Sequence, residues 1–208
     1  MPPELLGPVA GILLAAGTSS RMGSNKLLFE FEGESLLRRA ARRALAGGLA
    51  PLLVVLGHQA ERAREEIADL AGQVVVNPDY EQGITSSLQA GVAALTQTTP
   101  IAPAARAAVV MLADMPFVTA EMIAGLVARY RETAAPLVIS DYGGVTAPPM
   151  LYDRALFGEI LNMTGGCGKQ VVKRHRGEAE VLSWPPAALA DLDLPDDWAR
   201  LAAASGAR

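Results

Sequence analysis

A loop of small, hydroxylated and cationic residues follows the first apolar run of the chain and could bind a polyphosphate. The apolar run covers residues 9–16, and the loop after it contains Arg21 and Lys26. A buried strand that ends in such a loop exposes backbone N–H groups, and the two cations add fixed positive charge beside them. Phosphate oxygens are bound by groups of this kind. The sequence therefore predicts a phosphate-binding loop that ends near Lys26.

A second polar cluster opens a predicted helix. Apolar residues recur there at the spacing of one helical face, at Ile84, Leu88, Val92 and Leu95. Gly83, Ser86 and Ser87 then lie at the N-terminal end of that helix. Free N–H groups and hydroxyls at a helix start can bind an anion or the polar edge of a ligand. Ordinary capping by serine and threonine is the alternative explanation.

Asp114 is the candidate metal ligand. It follows an apolar run over residues 107–113 that predicts a buried strand. In open parallel sheets, ligands bind outside the carboxyl ends of strands. Magnesium prefers oxygen and commonly takes one or two carboxylates together with phosphate oxygens. The alternative is that Asp114 caps a turn before Pro116.

The apolar pattern predicts an α/β fold that would bring these residues together. Apolar runs typical of strands buried on both faces cover residues 9–16, 51–57, 74–76 and 107–113. Helical patterns separate these runs, and Ser35 is expected to cap the first helix. Strands and helices that alternate at this spacing form parallel βαβ units with right-handed crossovers.

Three expectations concern single elements. Residues 145–152 are expected to form a strand, and because Pro148 and Pro149 cannot donate to a ladder, it should lie at a sheet edge or form a pocket wall. No helix is expected directly after Lys26. The helix after Ser35 carries four arginines opposite its apolar face, which are expected to be solvated: Arg38, Arg39, Arg42 and Arg43.

Composition limits the classes of function. The chain has 208 residues, enough for one α/β domain, and we expect a single domain over residues 1–208. A net charge of −4 argues against a nucleic-acid partner. The single cysteine, Cys167, excludes an intramolecular disulfide and fits a reducing cytoplasm. The N-terminus lacks a basic signal region, and the apolar run after it is too short to span a bilayer, so we expect a soluble cytoplasmic protein with no membrane partner.

The spacing of the opening loop separates it from two common phosphate-binding patterns. From Leu14 to Lys26 the loop has the pattern Leu-x-Ala-Gly-x-Ser-x-Arg-Met-Gly-x-x-Lys. This is not the Gly-x-Gly-x-x-Gly pattern of dinucleotide sites. A Walker P-loop would instead need Gly-Lys-Ser/Thr opening a helix.

This pattern resembles that of the molybdenum cofactor nucleotidyltransferases, which are small Rossmann-like nucleotidyltransferases, and most closely their cytidylyltransferase branch. The resemblance covers nearly the whole chain and implies a three-layer Rossmann-like α/β fold with a mostly parallel sheet. It also includes Gly83-x-x-Ser86-Ser87-Leu88, Asp114-Met115-Pro116 and the tail Asp191-x-Asp193-x-Pro195-x-Asp197. Guanylyltransferase relatives typically have Leu-Ala-Gly-Gly at the loop start, whereas this chain has Leu14-Ala15-Ala16-Gly17, as in the cytidylyl form.

The resemblance implies transfer of CMP from CTP to the phosphate of molybdenum–molybdopterin, with release of pyrophosphate. The product would be molybdopterin cytosine dinucleotide, the cofactor of molybdenum hydroxylases, so a hydroxylase or its maturation factor is an expected partner. Arg21 and Lys26 would hold the triphosphate and stabilise charge on the leaving pyrophosphate. Asp114 would hold Mg²⁺ (or Mn²⁺), and Asp193 would complete its shell. The remaining residues of the implied nucleotide site are Leu14, Ala15, Ala16, Gly17, Ser19, Gly83, Ser86 and Ser87.

The acceptor half of the chain departs from the family pattern. Ala147-Pro148-Pro149 stands where relatives commonly have Gly-His-Pro, and the tail has Leu194 and Asp196 in place of threonine and glutamate. Gly166-Cys167-Gly168-Lys169-Gln170 likewise replaces Gly-Asp-x-Gly-Ala-Arg. Three alternatives therefore stay open: guanylyl transfer from GTP, transfer to a sugar or isoprenoid phosphate, and a non-catalytic cofactor-binding chaperone. Cys167, His58 and His175 are expected to be structural.

Overall fold

A computed structural model describes residues 7–17, 25–97, 105–166 and 168–189 of the chain. The strands in these ranges are β1 (Val9–Ala15), β2 (Glu30–Phe31), β3 (Glu34–Ser35), β4 (Leu52–Leu56), β5 (Gly72–Val76), β6 (Ala107–Leu112), β7 (Leu137–Asp141), β8 (Thr146–Asp153) and β9 (Glu180–Ser183). The α-helices are α1 (Leu36–Ala46), α2 (Ala60–Glu66), α3 (Ile84–Thr96), α4 (Ala120–Thr133), α5 (Phe157–Leu161) and α6 (Lys169–Arg174). The final helix expected near residues 195–203 lies outside the described residues.

A seven-stranded sheet forms the centre of the described structure. Its strand order is β5-β4-β1-β6-β8-β7-β9. Strand β8 is antiparallel to both of its neighbours, and the other neighbouring pairs are parallel. Helices α1, α2 and α4 pack on one face of the sheet, and α3, α5 and α6 pack on the other. The prediction of a three-layer Rossmann-like α/β fold with a mostly parallel sheet is confirmed.

Strand β1 is central because it has apolar side chains for both layers. Its residues point alternately into two hydrophobic cores, with Val9, Leu13 and Ala15 in one core and Ala10, Ile12 and Leu14 in the other. All seven residues of the strand are buried. A run without polar alternation is the pattern expected for a strand covered on both faces. Helix α1 begins as predicted, since Ser35 Oγ accepts the N–H of Arg38.

Strand β8 lies inside the sheet between β6 and β7, so the prediction of a sheet edge is wrong. Strand β6 pairs only with residues 150–153 of β8, so neither Pro148 nor Pro149 stands opposite β6. On the other side, the register with β7 shifts between Val138 and Ser140. There the Ser140 hydroxyl donates to the Pro149 carbonyl at 2.6 Å. The prolines are tolerated because the ladder is interrupted on both sides of them.

Two other local predictions are wrong. A single 3₁₀ turn, Lys26–Leu28, begins directly at Lys26. Arg39 is only 9% exposed, although the α1 arginines were expected to be solvated. The reason is that α1 also faces the β2–β3 hairpin and the loop after β6, which supply carboxylate and carbonyl acceptors to Arg39. Arg42, with a side chain 60% exposed, lies at the surface as expected.

In the part of the chain that the structure describes, no helix has the length and apolar character needed to cross a membrane.

Candidate active site

The carboxyl ends of the parallel strands meet at one edge of the sheet and bring the predicted residues together. Gly17 follows β1, Asn77 follows β5 and Asp114 lies just beyond β6. The ends of β1 and β6 are in direct contact, since the Ala113 N–H donates to the Leu14 carbonyl at 3.1 Å. This edge is where ligands bind in open α/β sheets.

Lys26 and Asp114 form an ion pair at this edge. Lys26 Nζ lies 2.8 Å from Asp114 Oδ2, and the two side chains are 14% and 25% exposed. The pair therefore stays accessible to a ligand while much of each side chain is covered. Its charges are screened less than those of a fully exposed pair.

Asn25 fixes the backbone that carries Lys26. Its side chain is 2% exposed, and its Oδ1 accepts the N–H of Leu27 at 3.1 Å, which caps the 3₁₀ turn. Its Nδ2 donates to the carbonyl of His58 at 3.4 Å, beyond the end of β4. The sequence analysis missed Asn25, although an asparagine directly before a polar-to-apolar transition is a recognisable capping signal.

The end of β1 can offer a ligand mainly Gly17. Leu14, Ala15 and Ala16 are 8%, 2% and 5% exposed, so their backbone is buried together with their side chains. Gly17 is exposed, and a Cβ added to it would meet nothing within 4 Å. Small residues also let neighbouring segments approach, because a Cβ on Gly57 would lie 2.8 Å from the carbonyl oxygen of Ala16.

The start of α3 is organised around Asn77, which the sequence analysis did not identify. Asn77 is 3% exposed, and its Nδ2 donates to Ser86 Oγ at 2.9 Å and to Ser87 Oγ at 3.1 Å. Its Oδ1 accepts the N–H of Asp79 at 3.0 Å. The Ser86 hydroxyl is also within 2.8 Å of the carbonyls of Asp79 and Gly83.

These bonds give the two serines different surroundings. Ser87 is 3% exposed, so its hydroxyl belongs to the interior of the helix start. Gly83 occupies the N-cap position with φ +98° and contributes no side-chain cap, so neither serine caps α3. At a helix start without a side-chain cap, a polar ligand can take the place of the cap.

The β7–β8 turn lies at the same edge as Asp114, because β7 runs parallel to β6 across the sheet. Asp141 Oδ2 accepts the N–H of Gly144 at 3.0 Å and shapes the turn. Beneath it, the Tyr142 hydroxyl donates to the Pro148 carbonyl at 2.9 Å, and burial raises the pKa of Tyr142 to about 12. Trp184 Nε1 donates to Ser140 Oγ at 2.9 Å. The turn therefore rests on a layer of satisfied polar groups.

A metal at this site would depend on few protein ligands. Among the described residues, no group of three or more His, Cys, Asp or Glu side chains could hold a metal ion. Asp114 offers a partly exposed carboxylate, which fits a hard cation that takes its other ligands from phosphate and water. His175 pairs with Glu159 at 2.9 Å. Three predicted site residues lie outside the described ranges, namely Ser19, Arg21 and Asp193, and so do Cys167 and the rest of the tail motif over residues 191–197.

Comparisons with known proteins agree with this arrangement. The chain is 28% identical over 177 residues to nicotine blue oxidoreductase of Paenarthrobacter nicotinovorans, covering 81% of this chain and 82% of that protein. It is 27% identical over 203 residues to purine catabolism protein PucB of Bacillus subtilis, covering 90% and 93%. The bifunctional protein GlmU of Paenarthrobacter aurescens is 30% identical over 183 residues, but the match covers only 35% of that longer protein.

Solved structures and a family comparison give the same result. Rv0371c of Mycobacterium tuberculosis superposes with a TM-score of 0.81 at 28% identity, covering 93% of this chain and 96% of that one. A manganese complex of Rv0371c superposes with a TM-score of 0.75 at 26% identity, covering 94% and 98%. Residues 11–180 match the MobA-like NTP transferase domain. The chain therefore belongs to the MobA-like NTP transferase family.

Proposed function

We propose that this chain transfers CMP from CTP to the phosphate of molybdenum–molybdopterin, forming molybdopterin cytosine dinucleotide and pyrophosphate. The observation that supports it is the Lys26–Asp114 pair, a cation and a carboxylate 2.8 Å apart at the ligand-binding edge of an NTP transferase fold. The choice of CTP rests on the loop start Leu14-Ala15-Ala16-Gly17. The choice of acceptor rests on the resemblance to the molybdenum cofactor cytidylyltransferases.

The chemistry needs positioning and charge stabilisation more than acid–base catalysis. An oxygen of the acceptor phosphate attacks the α-phosphorus of CTP, and the bond from that phosphorus to the bridging oxygen breaks as pyrophosphate leaves. The acceptor is already anionic at pH 7, so a strong general base is not required. The main barrier is the approach of two anions, which fixed cations lower.

Each proposed residue has one task in this step. Lys26 contacts the triphosphate and stabilises the charge that grows on the leaving pyrophosphate, together with Arg21. Backbone groups of residues 14–17, with Ser19 and the start of α3 at Gly83, Ser86 and Ser87, hold the base and the sugar. Because the Ser87 hydroxyl is buried against Asn77, its contribution is to order the helix start.

Asp114 would hold a divalent cation, Mg²⁺ or Mn²⁺, with Asp193 as a second ligand. A bound cation of this kind supplies positive charge and orients phosphate oxygens. The manganese complex of Rv0371c supports divalent metal use in this family.

The deciding experiment is incubation of the purified chain with molybdenum–molybdopterin, a divalent cation and either CTP or GTP. Mass analysis then identifies the nucleotide attached to the cofactor, and released pyrophosphate is quantified. We expect CMP attachment with one pyrophosphate per product. A product that contains only GMP would overturn the base assignment. Transfer only to sugar or isoprenoid phosphates would overturn the acceptor, and the absence of pyrophosphate with every acceptor would favour a cofactor-binding chaperone.

Variants of the ion pair test the residue roles in the same assay. Lys26→Ala and Asp114→Ala should each lower the rate of transfer by roughly 10²–10³, the scale of losing one charge-stabilising group. Arg131→Ala is the matched control, because this exposed cation lies near the end of α4, at the opposite edge of the sheet. Near-full activity of either ion-pair variant would show that the roles are assigned wrongly.

A further inference from the structure

Arg39 is buried beside the active-site edge, and its guanidinium joins two segments that lead to the Lys26–Asp114 pair. Its Nε donates to the carbonyl of Pro116 at 3.2 Å, two residues after Asp114. Its Nη2 donates to Glu32 Oε2 at 2.6 Å, in the β2–β3 turn that follows the Lys26 segment. A second carboxylate, Glu34, lies 3.5 Å from Nη1.

Aromatic packing joins the same two segments around Arg39. Phe31 from the hairpin and Phe117 from the loop after Asp114 meet edge to face, with ring centroids 5.9 Å apart and an interplanar angle of 84°. The guanidinium carbon of Arg39 lies 5.0 Å from the centre of the Phe31 ring. Phe31 and Leu36 form a small buried cluster, separate from the two main cores, and Phe117 packs against it.

Short backbone links connect this cluster to both members of the ion pair. The Phe29 N–H donates to the Lys26 carbonyl at 3.1 Å, and the Leu36 N–H donates to the Phe29 carbonyl at 3.2 Å. On the other side, the Val118 N–H donates to the Met115 carbonyl at 3.3 Å. Neither segment has a long flexible connection between Arg39 and its charged residue. Arg39 therefore bonds to two segments that are each held by short backbone links to one member of the ion pair.

We propose that Arg39 is a positioning residue for nucleotidyl transfer, which fixes the loop carrying Asp114 against the segment carrying Lys26. This inference rests on the proposed function, because the relative position of Lys26 and Asp114 matters only if the two residues take part in nucleotidyl transfer. Only arginine presents a rigid planar fork that can bond a carbonyl and a carboxylate in different directions. A buried ion pair contributes little net stability compared with an apolar side chain of the same volume. The specific contribution of the guanidinium is therefore geometric.

The test compares Arg39→Met with Arg42→Met in the full chain. Methionine keeps most of the length of arginine and fills buried space, but it cannot bond to Pro116 or Glu32. Arg42 lies on the same helix and contacts Glu34 at 3.1 Å, but its side chain is 60% exposed, so it is the matched control. Activity is measured well below the midpoint of thermal unfolding of each variant, with pyrophosphate release as the signal.

We expect kcat of Arg39→Met to fall by about tenfold or more, the effect of a small misplacement of charged groups, while KM for the nucleoside triphosphate changes less than about threefold. Amide hydrogen exchange over residues 114–118 should become faster in Arg39→Met and remain at the wild-type rate in Arg42→Met. A loss of stability alone would speed exchange throughout the chain. It would leave the kcat of the folded enzyme unchanged.

A fall in kcat of less than about threefold, or a larger fall without faster exchange at residues 114–118, would overturn the inference. If Arg39→Met does not fold, Arg39→Lys takes its place under the same criteria, because lysine keeps the charge but lacks the planar fork. If the wild-type chain transfers no nucleotide, the proposed function fails. The exchange measurement still decides whether Arg39 fixes the loop.

Discussion

Asn77 is a buried amide whose hydrogen bonds order the start of α3. It bonds the N–H of Asp79, in the segment between β5 and α3, and the hydroxyls of Ser86 and Ser87 in the first turn of α3. Removing a buried hydrogen-bonding partner leaves polar groups unpaired, which costs about 1–3 kcal/mol. The start of α3 therefore depends on Asn77 for both its stability and its shape.

We predict that Asn77→Ala lowers the free energy of unfolding by about 1–3 kcal/mol and raises KM for the nucleoside triphosphate more than it changes kcat. Urea denaturation and steady-state kinetics measure the two effects. Gln82→Ala is the control, since Gln82 is exposed and its side chain donates to Asp79 Oδ1 at 2.9 Å without contacting Asn77 or the serines among the hydrogen bonds of the described residues. An unchanged KM in Asn77→Ala would remove the start of α3 from the nucleotide site.

For single residues, the sequence indicated the charged side chains that meet at the candidate site, but not the buried polar residues that hold the surrounding segments in place. Lys26 and Asp114 could be found because a cation in a glycine-rich loop and a carboxylate at a strand end have few structural reasons to be there. Arg39 and Asn77 could not, because an arginine on a polar helix face and an asparagine before proline are common patterns. The Pro116 carbonyl that Arg39 bonds is 77 residues away, and the serines that Asn77 bonds are 9 and 10 residues away, so the fold is needed to bring these groups into contact.

At the scale of elements, α3 is seated on the sheet by a glycine. A Cβ on Gly91 would lie 2.6 Å from Ile12 Cγ2 on β1 and 3.2 Å from Val55 Cγ2 on β4. The missing side chain lets the helix approach the two central strands closely. Ser86 and Ser87 lie in the first turn of the same helix, so this close approach also fixes their distance from the sheet.

We predict that Gly91→Ala destabilises the protein by about 1–3 kcal/mol, because the added methyl group forces the helix or the strand side chains to move. Thermal and urea unfolding measure the change. Gly158→Ala in α5 is the matched control, since a Cβ there meets nothing within 4 Å. That control should be neutral or more stable by up to about 1 kcal/mol, as alanine restricts the unfolded chain. Equal effects of the two substitutions would contradict close packing at Gly91.

The elements also show where sequence patterns reach their limit. Buried strands and capped helices were predicted because apolar periodicity and capping residues are local signals. The prediction that β8 lies at a sheet edge was wrong, because Pro148 and Pro149 indicate only that a hydrogen-bonded ladder cannot continue through them. The chain met this requirement with a register shift in β7 and a hydroxyl bond from Ser140, features of a partner strand that the proline pattern does not reveal.

At the scale of the whole molecule, alkaline pH should loosen the half of the sheet beside the β7–β8 turn. Tyr142 is 1% exposed, its hydroxyl donates to the Pro148 carbonyl, and burial raises its pKa from 10.0 to about 12. Burial also raises the pKa of Tyr130, whose hydroxyl bonds to Asp153 at the far end of β8. The folded state thus keeps both protons at a pH where the unfolded chain releases them.

The sign of the effect follows from the raised pKa. Below pH 10 both states hold the Tyr142 proton, and its contribution to stability is complete. Between pH 10 and pH 12 the unfolded state loses the proton first, so the free energy of unfolding falls, by at most about 3 kcal/mol from this residue.

In Tyr142→Phe the lost hydrogen bond should lower stability by about 1–2 kcal/mol at pH 8, but the further decline toward pH 12 should be shallower than in the wild type. Urea unfolding from pH 8 to 11.5 measures both curves, and curves that stay parallel over this range would show that Tyr142 ionises equally in the folded and unfolded states.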